Sequence, residues 1–228
     1  MVRYVDLAQA EPDQAVVVID VLRAFTVQPW LLHRGAGRLL TVAEADTAFA
    51  LREHWLPDAL LVGEEGSRPI PGFDHGNSPT EVAALTSLEG RAVIHRTSAG
   101  TQGLARTVGS DLVLAASLVT AAATARALRE AEVSDVTFVI TGASLGRDGD
   151  EDLAAAELIA ARLVGDDPDP RPYLDRVAAC DAARMFAPGG PSWAPVSDLE
   201  HAMQVDAFDH ALYVTASDLP DALEVHTA

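Results

Sequence analysis

Lysine is absent from this chain, and all 16 of its basic residues are arginines. The absence excludes Schiff-base catalysis and the phosphate-loop lysine of many nucleotide-binding enzymes, because both need a primary side-chain amine. The 34 acidic residues give a net charge of −18. Nucleic-acid binding relies on a basic surface, so this charge argues against a nucleic-acid partner. An anionic ligand would need a metal ion and a few well-placed arginines.

Cysteine and long apolar runs are also scarce. Cys180 is the one cysteine, so no internal disulfide can form, which fits a reducing compartment. Its sequence neighbourhood lacks the arginine spacing of thiol phosphatases, and we predict a buried structural thiol. The longest uncharged stretch, 112–125, is shorter than the ~20 residues needed to span a bilayer. With no signal-peptide pattern at the N-terminus, we expect a cytoplasmic protein without a membrane partner.

The remaining composition suits a packed α/β domain. Apolar residues make up 49% of the 228 positions and charged residues 22%, which favours a folded core over disorder. Short β-branched runs alternate with alanine-rich helical stretches, a pattern typical of three-layer α/β/α folds with a mostly parallel sheet. The pattern also allows a mixed sheet. We predict one domain over 1–228, with two halves meeting near 105–115 as the alternative.

The predicted elements follow from hydrophobic periodicity and from the positions of glycine and proline. Strands are predicted at 15–19, 38–42, 59–62, 91–95, 111–115, 135–140 and 211–214. Helices are predicted at 27–33, 44–55, 80–87, 102–108, 120–131, 151–164, 173–185 and 197–205. The segment 63–79 is rich in glycine and proline, and its length indicates a functional loop.

Acidic side chains stand where predicted strands end, which is where ligands bind in open α/β sheets. Asp20 and Glu64 each end an apolar strand, and Asp74 lies in the long loop. Carboxylates beside a dry interior take up protons unless a cation keeps them ionised, and hard oxygen ligands suit Mg²⁺. We therefore predict Mg²⁺ bound by Asp20, Glu64 and Asp74. The residues alone leave open that each carboxylate caps a helix or pairs with an arginine.

Hydroxyl and glycine residues between a predicted strand and helix suggest an anion site. In the segment 97–101, small residues would let backbone N–H groups approach a phosphate, although such residues also form ordinary helix caps. The segment 142–146, which contains Ser144, has a similar composition. His75 is the histidine that we consider for function, because it lies in the long loop.

The order of these motifs resembles the 2-phosphosulfolactate phosphatase (ComB-like) family. The matching segments are Ile19-Asp20-Val21-Leu22-Arg23-Ala24, Gly63-Glu64, Gly72-Phe73-Asp74, Gly76-Asn77-Ser78-Pro79, and Thr97 with Gly100-Thr101. The resemblance covers about 15–164, and Ser117 and the pair Glu151-Asp152 fall at the family's later motifs. It implies an α/β fold and a Mg²⁺-dependent acid phosphatase. The implied reaction converts (R)-2-phospho-3-sulfolactate into 3-sulfolactate and phosphate, a step toward coenzyme M.

Several residues depart from the family pattern. Glu65 stands where arginine is usual, Pro69 where lysine is frequent, and Ala99 where asparagine is usual. Two positive charges are thereby lost around a strongly anionic substrate. Arg68 and Arg96 are the nearby residues that we consider as replacements.

We assign catalysis to Asp20, Arg23, Glu64 and Asp74, with Mg²⁺ as cofactor and a small anionic phosphate ester as substrate. The residues assigned to substrate binding are Asn77, Arg96, Thr97, Ser98, Gly100, Thr101 and Ser117. The alternative is a non-catalytic binding protein for an anionic metabolite. A nucleotide-dependent enzyme is disfavoured, since phosphate-loop signatures are missing. The sequence also allows a homodimer.

Overall fold

The computed structural model of the protein contains one ten-stranded sheet. It describes residues 1–227, except that only the backbone is described for Ser144 and Leu145. The strands are β1 (Val2–Asp6), β2 (Ala15–Ile19), β3 (Arg38–Val42), β4 (Leu60–Glu65), β5 (Arg68–Pro69), β6 (Ala92–Arg96), β7 (Leu112–Ala116), β8 (Val136–Ile140), β9 (Leu212–Ala216) and β10 (Ala222–His226). Their spatial order is β1-β8-β2-β7-β9-β10-β3-β6-β4-β5. Parallel and antiparallel pairs both occur, and the parallel ones predominate. The predicted α/β class with a mostly parallel, mixed sheet is confirmed.

Eight α-helices in the described chain connect and cover these strands. They are α1 (Ala24–His33), α2 (Ala45–His54), α3 (Pro79–Ala83), α4 (Gly100–Arg106), α5 (Ala121–Glu130), α6 (Asp150–Leu163), α7 (Arg171–Ala179) and α8 (Val196–Ala202). The helix predicted over 173–185 is wrong in its second half. There α7 ends, and a separate 3-10 helix spans Ala182–Phe186.

Helices pack on both faces of the sheet, which explains why all five residues of β2 are apolar. Because side chains alternate along a strand, Ala15, Val17 and Ile19 share one core with α5, α6 and α7. Val16 and Val18 point the other way and pack with α1 and α4. A third core lies between α2 and the strands β3, β4 and β6. The three layers thus follow from a central strand that is buried on both sides.

Twist explains how distant strands contribute to one site. The sheet contains two groups of parallel strands: β1, β8, β2 and β7 form one, and β3, β6 and β4 form the other. Three antiparallel pairs lie between the groups, so the two groups have opposite nominal directions. Six steps across the sheet separate β2 from β4. At about 20–25° per step, the strand direction turns by roughly 120–150°, which offsets much of the difference in nominal direction. Asp20, which follows β2, and Glu64 of β4 line one cleft.

Three strands were not predicted from the sequence. β1 and β10 lack a continuous apolar run, and β5 has only two residues. β5 turns the first part of the predicted loop 63–79 into a hairpin with β4, in which Gly66 and Ser67 both have positive φ. Two positive φ values in succession are the requirement of a type I′ hairpin turn. Within residues 1–227, no helix combines the length and apolar character needed to cross a membrane.

Candidate active site

A narrow cleft lies outside the ends of β2, β4 and β8. Carboxyl side chains dominate its lining, accompanied by two arginines and one asparagine. The lining residues are Asp20, Leu22, Arg23, Glu64, Ser67, Asn77, Ala99, Thr141, Gly142, Arg147, Glu151, Asp152 and Met185. Asp20, Arg23, Glu64 and Asn77 are thus brought together, as the sequence predicted.

Asp20 follows directly after β2 and is buried. Its Oδ1 accepts a hydrogen bond from the Ala24 backbone N–H at 3.0 Å, at the start of α1. Burial, together with the nearby charges of Glu64 and Glu151, raises the pKa of Asp20 to about 7, although the hydrogen bond from Ala24 opposes the shift. A Cβ at Gly100 would lie 2.7 Å from Asp20 Oδ2, so glycine is required for this close approach. Near neutral pH the carboxyl is poised between its charged and neutral forms.

Asp152 lies in the first turn of α6 and ties two loops to that helix. Its Oδ1 accepts from the Val21 backbone N–H at 2.8 Å. Its Oδ2 accepts from the backbone N–H groups of Thr141 and Gly142 at 3.1 and 2.8 Å. Burial raises the pKa of Asp152 well above its usual value, and the charges of Glu151 and Asp20 add to that shift. Asp152 therefore fixes the loops that follow β2 and β8.

Glu151, one residue earlier in α6, has a carboxyl group with one oxygen that accepts no hydrogen bond from the described residues. Its Oε2 is buried and has no hydrogen-bond partner in the described chain. Burial is the main reason that the pKa of Glu151 is raised. Beside it, burial and the charge of Glu151 raise the pKa of the Cys180 thiol to about 12. Cys180 is a free, buried thiol, so the predicted burial is confirmed.

Glu64 is the residue before the last one of β4 and is held by the loop after β6. Its Oε1 accepts from the Ser98 backbone N–H at 2.6 Å, and its Oε2 accepts from the Ser98 hydroxyl at 3.2 Å. The Ser67 backbone N–H donates to Oε2 from the hairpin tip. Three donors thus fix the orientation of this carboxylate toward the cleft.

Arg23 is one of two arginines that line the cleft, and it is almost fully buried. Its Nη1 donates to the Trp193 carbonyl and to Asp198 Oδ2, both at 2.7 Å. Its guanidinium lies over the Phe186 ring, 5.4 Å from the ring centroid. The Nε and Nη2 groups make no hydrogen bond with the described part of the chain, so they remain as donors.

Asn77 is oriented by a buried histidine that the sequence did not single out. Burial lowers the pKa of His95 to about 3, so its ring is neutral. Gln28 Nε2 lies 3.2 Å from His95 Nδ1, and His95 Nε2 lies 3.0 Å from Asn77 Oδ1. With the Gln28 amide donating to Nδ1, the proton resides on Nε2 and is donated to Asn77. This leaves the Asn77 amide N–H groups for the cleft.

Asp74, predicted as a metal ligand, lies away from the cleft. Its Oδ2 accepts from the Leu61 backbone N–H at 2.8 Å and from Arg52 at 3.0 Å. Leu61 precedes Glu64 by three residues, which is about 10 Å along an extended strand. No three His, Cys, Asp or Glu side chains of the described chain converge as metal ligands, so the predicted set does not form. His75 also stays outside, with its Nδ1 4.0 Å from Glu81.

Four residues predicted to bind substrate instead support the local structure. Ser117 is fully buried and donates to the Phe25 carbonyl at 3.0 Å, underneath α1. The Arg96 guanidinium donates to the Ala43 and Glu64 carbonyls at 3.1 and 2.9 Å. Thr97 and Thr101 cap each other, each backbone N–H donating to the other's hydroxyl.

The other two, Ser98 and Gly100, hold carboxylates. The Ser98 N–H binds Glu64, and Gly100 lies against Asp20. The segment 97–101 therefore serves the acidic side chains, where we had predicted contacts with a phosphate. Of the segment 142–146, Gly142 lines the cleft, whereas the Ser144 side chain lies outside the described residues.

Comparison with known proteins decides the family. The sequence profile of the 2-phosphosulpholactate phosphatase family matches residues 3–189. The chain belongs to this family. A protein of Deinococcus radiodurans, named probable 2-phosphosulfolactate phosphatase, is 42% identical over 154 residues, covering 67% of this chain and 62% of that relative. Proteins with the same name from Parasynechococcus marenigrum and Thermus thermophilus are 40% and 38% identical, covering 68% and 77% of this chain and 64% and 69% of theirs. The chain thus matches less than two thirds of the length of the first two relatives.

The departures from the 2-phosphosulfolactate phosphatase pattern can now be placed. Glu65 lies 3.3 Å from Arg96 Nη2, so that arginine is paired and does not replace the lost charge. Arg68 lies over the Trp193 ring, 5.3 Å from its centroid, and does not line the cleft. The additional cleft arginine is Arg147, in the loop after β8, which donates to the Ser67 hydroxyl at 2.9 Å. Arg147 was not predicted from the sequence, since a loop arginine carries no local signal.

Proposed function

We propose that this protein is a phosphatase that hydrolyses a small phosphate ester, with (R)-2-phospho-3-sulfolactate as the substrate implied by its family. The observation that carries the proposal is the convergence of four buried carboxyl groups and a buried arginine in one cleft. These residues are Asp20, Arg23, Glu64, Glu151 and Asp152. All five lie within the segment that matches the family profile. The names of the relatives support the same reaction.

The chain's own donors suit a phosphate group. Arg23 offers Nε and Nη2, and phosphoryl transfer depends on such fixed positive donors. Asn77 offers its amide N–H groups, which the neutral His95 orients. Arg147 adds a second positive charge beside the Ser67 hydroxyl. Leu22 and Met185 supply apolar walls that limit water around the bound ester.

A Mg²⁺ ion fits this cleft, although not through the predicted set of ligands. The buried Oε2 of Glu151 has no partner in the described chain, and Asp20 is a buried carboxyl with a pKa of about 7. Both features are expected of carboxyl groups that serve as ligands of a hard cation. Mg²⁺ commonly uses one or two protein carboxylates together with substrate phosphate, so Asp20 and Glu151 would hold it. When bound, the ion would supply positive charge for the phosphate oxygens.

A substrate screen tests the proposed activity. Purified protein with Mg²⁺ is incubated with (R)-2-phospho-3-sulfolactate and with a panel of other small phosphate esters, and released phosphate is measured. We expect release from the sulfolactate ester above all others. No release from any ester, combined with thermal stabilisation by these esters, would instead identify a binding protein and contradict the proposal.

Metal binding is tested separately by calorimetric titration of Mg²⁺ into the substrate-free protein. We expect Glu151→Gln to weaken Mg²⁺ binding by about tenfold or more, since the variant removes a charged ligand. Asp74→Asn is the matched control, because Asp74 lies beside Leu61 outside the cleft. Equal affinities of wild type and Glu151→Gln would remove Glu151 from the metal site.

A further inference from the structure

Arg23 is fixed by residues that lie beyond the segment shared with the family profile. The profile match ends at residue 189, whereas Asp198 and Trp193 follow it. Arg23 Nη1 donates to Asp198 Oδ2 and to the Trp193 carbonyl, both at 2.7 Å. The two charged side chains are 2% and 0% exposed, so the ion pair is shielded from water. Asp198 is 175 residues away from Arg23 in the sequence.

The same carboxylate also holds the loop that carries Asn77. Asp198 Oδ1 accepts from the Ser78 hydroxyl at 2.7 Å and from the Thr80 backbone N–H at 3.1 Å. Ser78 is the residue directly after Asn77, and its hydroxyl also accepts from the Glu81 N–H at the start of α3. One buried carboxylate thus connects Arg23 with the segment that places Asn77.

Stability alone does not account well for such a pair. A buried ion pair often contributes no more to folding than apolar residues of the same volume, because both charges must leave water. Arginine has five N–H donors in a fixed plane, and Asp198 and the Trp193 carbonyl together accept only the two of Nη1. Anchoring one edge of the guanidinium by Asp198 and Trp193 directs the remaining donors. Residues that fix the orientation of a ligand-binding side chain are expected to contact it in this way.

We propose that Asp198 is a positioning residue that orients Arg23 toward the phosphate of the substrate, so that the segment after residue 189 completes the site. The proposal rests on the proposed function for the identity of the ligand. It assigns Asp198 no contact with the substrate itself. Asp198→Asn can keep a carboxamide oxygen for Ser78 and Thr80 while it loses the charged acceptor for Arg23. A double-mutant cycle then tests whether the effect of Asp198 passes through Arg23.

The experiment compares wild type, Asp198→Asn, Arg23→Gln and the double variant. Affinity for inorganic phosphate is measured by calorimetry in the presence of Mg²⁺, alongside kcat and KM for phosphate release. We expect Asp198→Asn to weaken phosphate binding and lower kcat/KM by about tenfold or more. In the Arg23→Gln background the same substitution should change both quantities less than about twofold. Equal losses in both backgrounds would overturn the proposal, as would unaltered phosphate binding by folded Asp198→Asn.

Two further variants separate positioning from folding. Asp206→Asn is the matched control, because Asp206 also pairs with an arginine, Arg162, at 2.8 Å but does not line the cleft. It should lower the unfolding temperature without changing phosphate affinity. If Asp198→Asn does not fold, Asp198→Glu keeps the charge but shifts it. Phosphate binding weakened in this variant supports the proposal, and wild-type affinity contradicts it.

The phosphate titration also keeps the two proposals apart. If the wild type releases no phosphate from any ester but binds inorganic phosphate through the Arg23–Asp198 pair, the proposed function fails and the positioning role stands. If turnover is present and insensitive to Asp198, the positioning role fails alone.

Discussion

The buried carboxyl of Asp20 predicts an unusual dependence of stability on pH. Its pKa is raised from the ordinary value of 3.8 to about 7. A raised pKa means that the folded state holds the proton more tightly than the unfolded state. The stability associated with the neutral carboxyl is therefore complete below pH 3.8 and is lost as the pH rises through 7. A shift of about three pKa units corresponds to about 4 kcal/mol of unfolding free energy. Roughly 2–3 kcal/mol of this stability is lost between pH 5 and pH 8.

Substitution of Asp20 by asparagine isolates this contribution. The variant keeps an oxygen for the Ala24 N–H but cannot ionise, so it should lose less stability than wild type between pH 5 and pH 8. We expect the difference in unfolding free energy, variant minus wild type, to grow by about 2–3 kcal/mol over that range. Urea unfolding in EDTA at both pH values measures it. A difference that stays constant, or that shrinks as the pH rises, would refute the assignment of a raised pKa to Asp20.

Three further outcomes follow from the structure. Gly100→Ala should lower the unfolding free energy by about 1–3 kcal/mol in urea titrations, because its Cβ would lie 2.7 Å from Asp20 Oδ2 and 2.8 Å from Ala24 Cβ. The His95 ring should show no titration between pH 5 and 8 by NMR, and a ring that titrates near pH 6.5 would contradict the lowered pKa. The neutral His95 ring contributes to stability above the unfolded pKa of about 6.5. This contribution should decline as the pH falls through that value. Ser117→Ala should cost about 0.5–1.5 kcal/mol of stability through its lost hydrogen bond and leave kcat/KM unchanged, and a fall in kcat/KM would restore a role in binding.

The sequence predicts those parts of the site that depend on local pattern. Asp20 directly follows the apolar strand β2, and Glu64 comes shortly after the apolar residues that begin β4, so their placement near strand ends needed only the hydrophobic periodicity. Glu151 and Asp152 open a helix with a clear apolar stripe. The general rule that ligands bind at the carboxyl ends of strands located the cleft. The rule held although β2 and β4 belong to groups of opposite nominal direction.

Long-range packing set the limit of the prediction. Asp74 was misplaced because the loop 70–76 turns back along β4, which puts Asp74 beside Leu61. Ser117 follows a strand as expected, but its hydroxyl turns toward the Phe25 carbonyl. Neither direction is encoded in the neighbouring residues. Asp198 was missed for the same reason, since its partner Arg23 lies 175 residues away.

The most direct test of the central claim is the rate of phosphate release from (R)-2-phospho-3-sulfolactate by wild type, Asp20→Asn and Asp74→Asn in Mg²⁺. Because Asp20 lines the cleft and Asp74 faces Arg52 outside it, we predict turnover by wild type and Asp74→Asn and its loss in Asp20→Asn. Full turnover by Asp20→Asn would show that the carboxyl-lined cleft is not where the ester is hydrolysed.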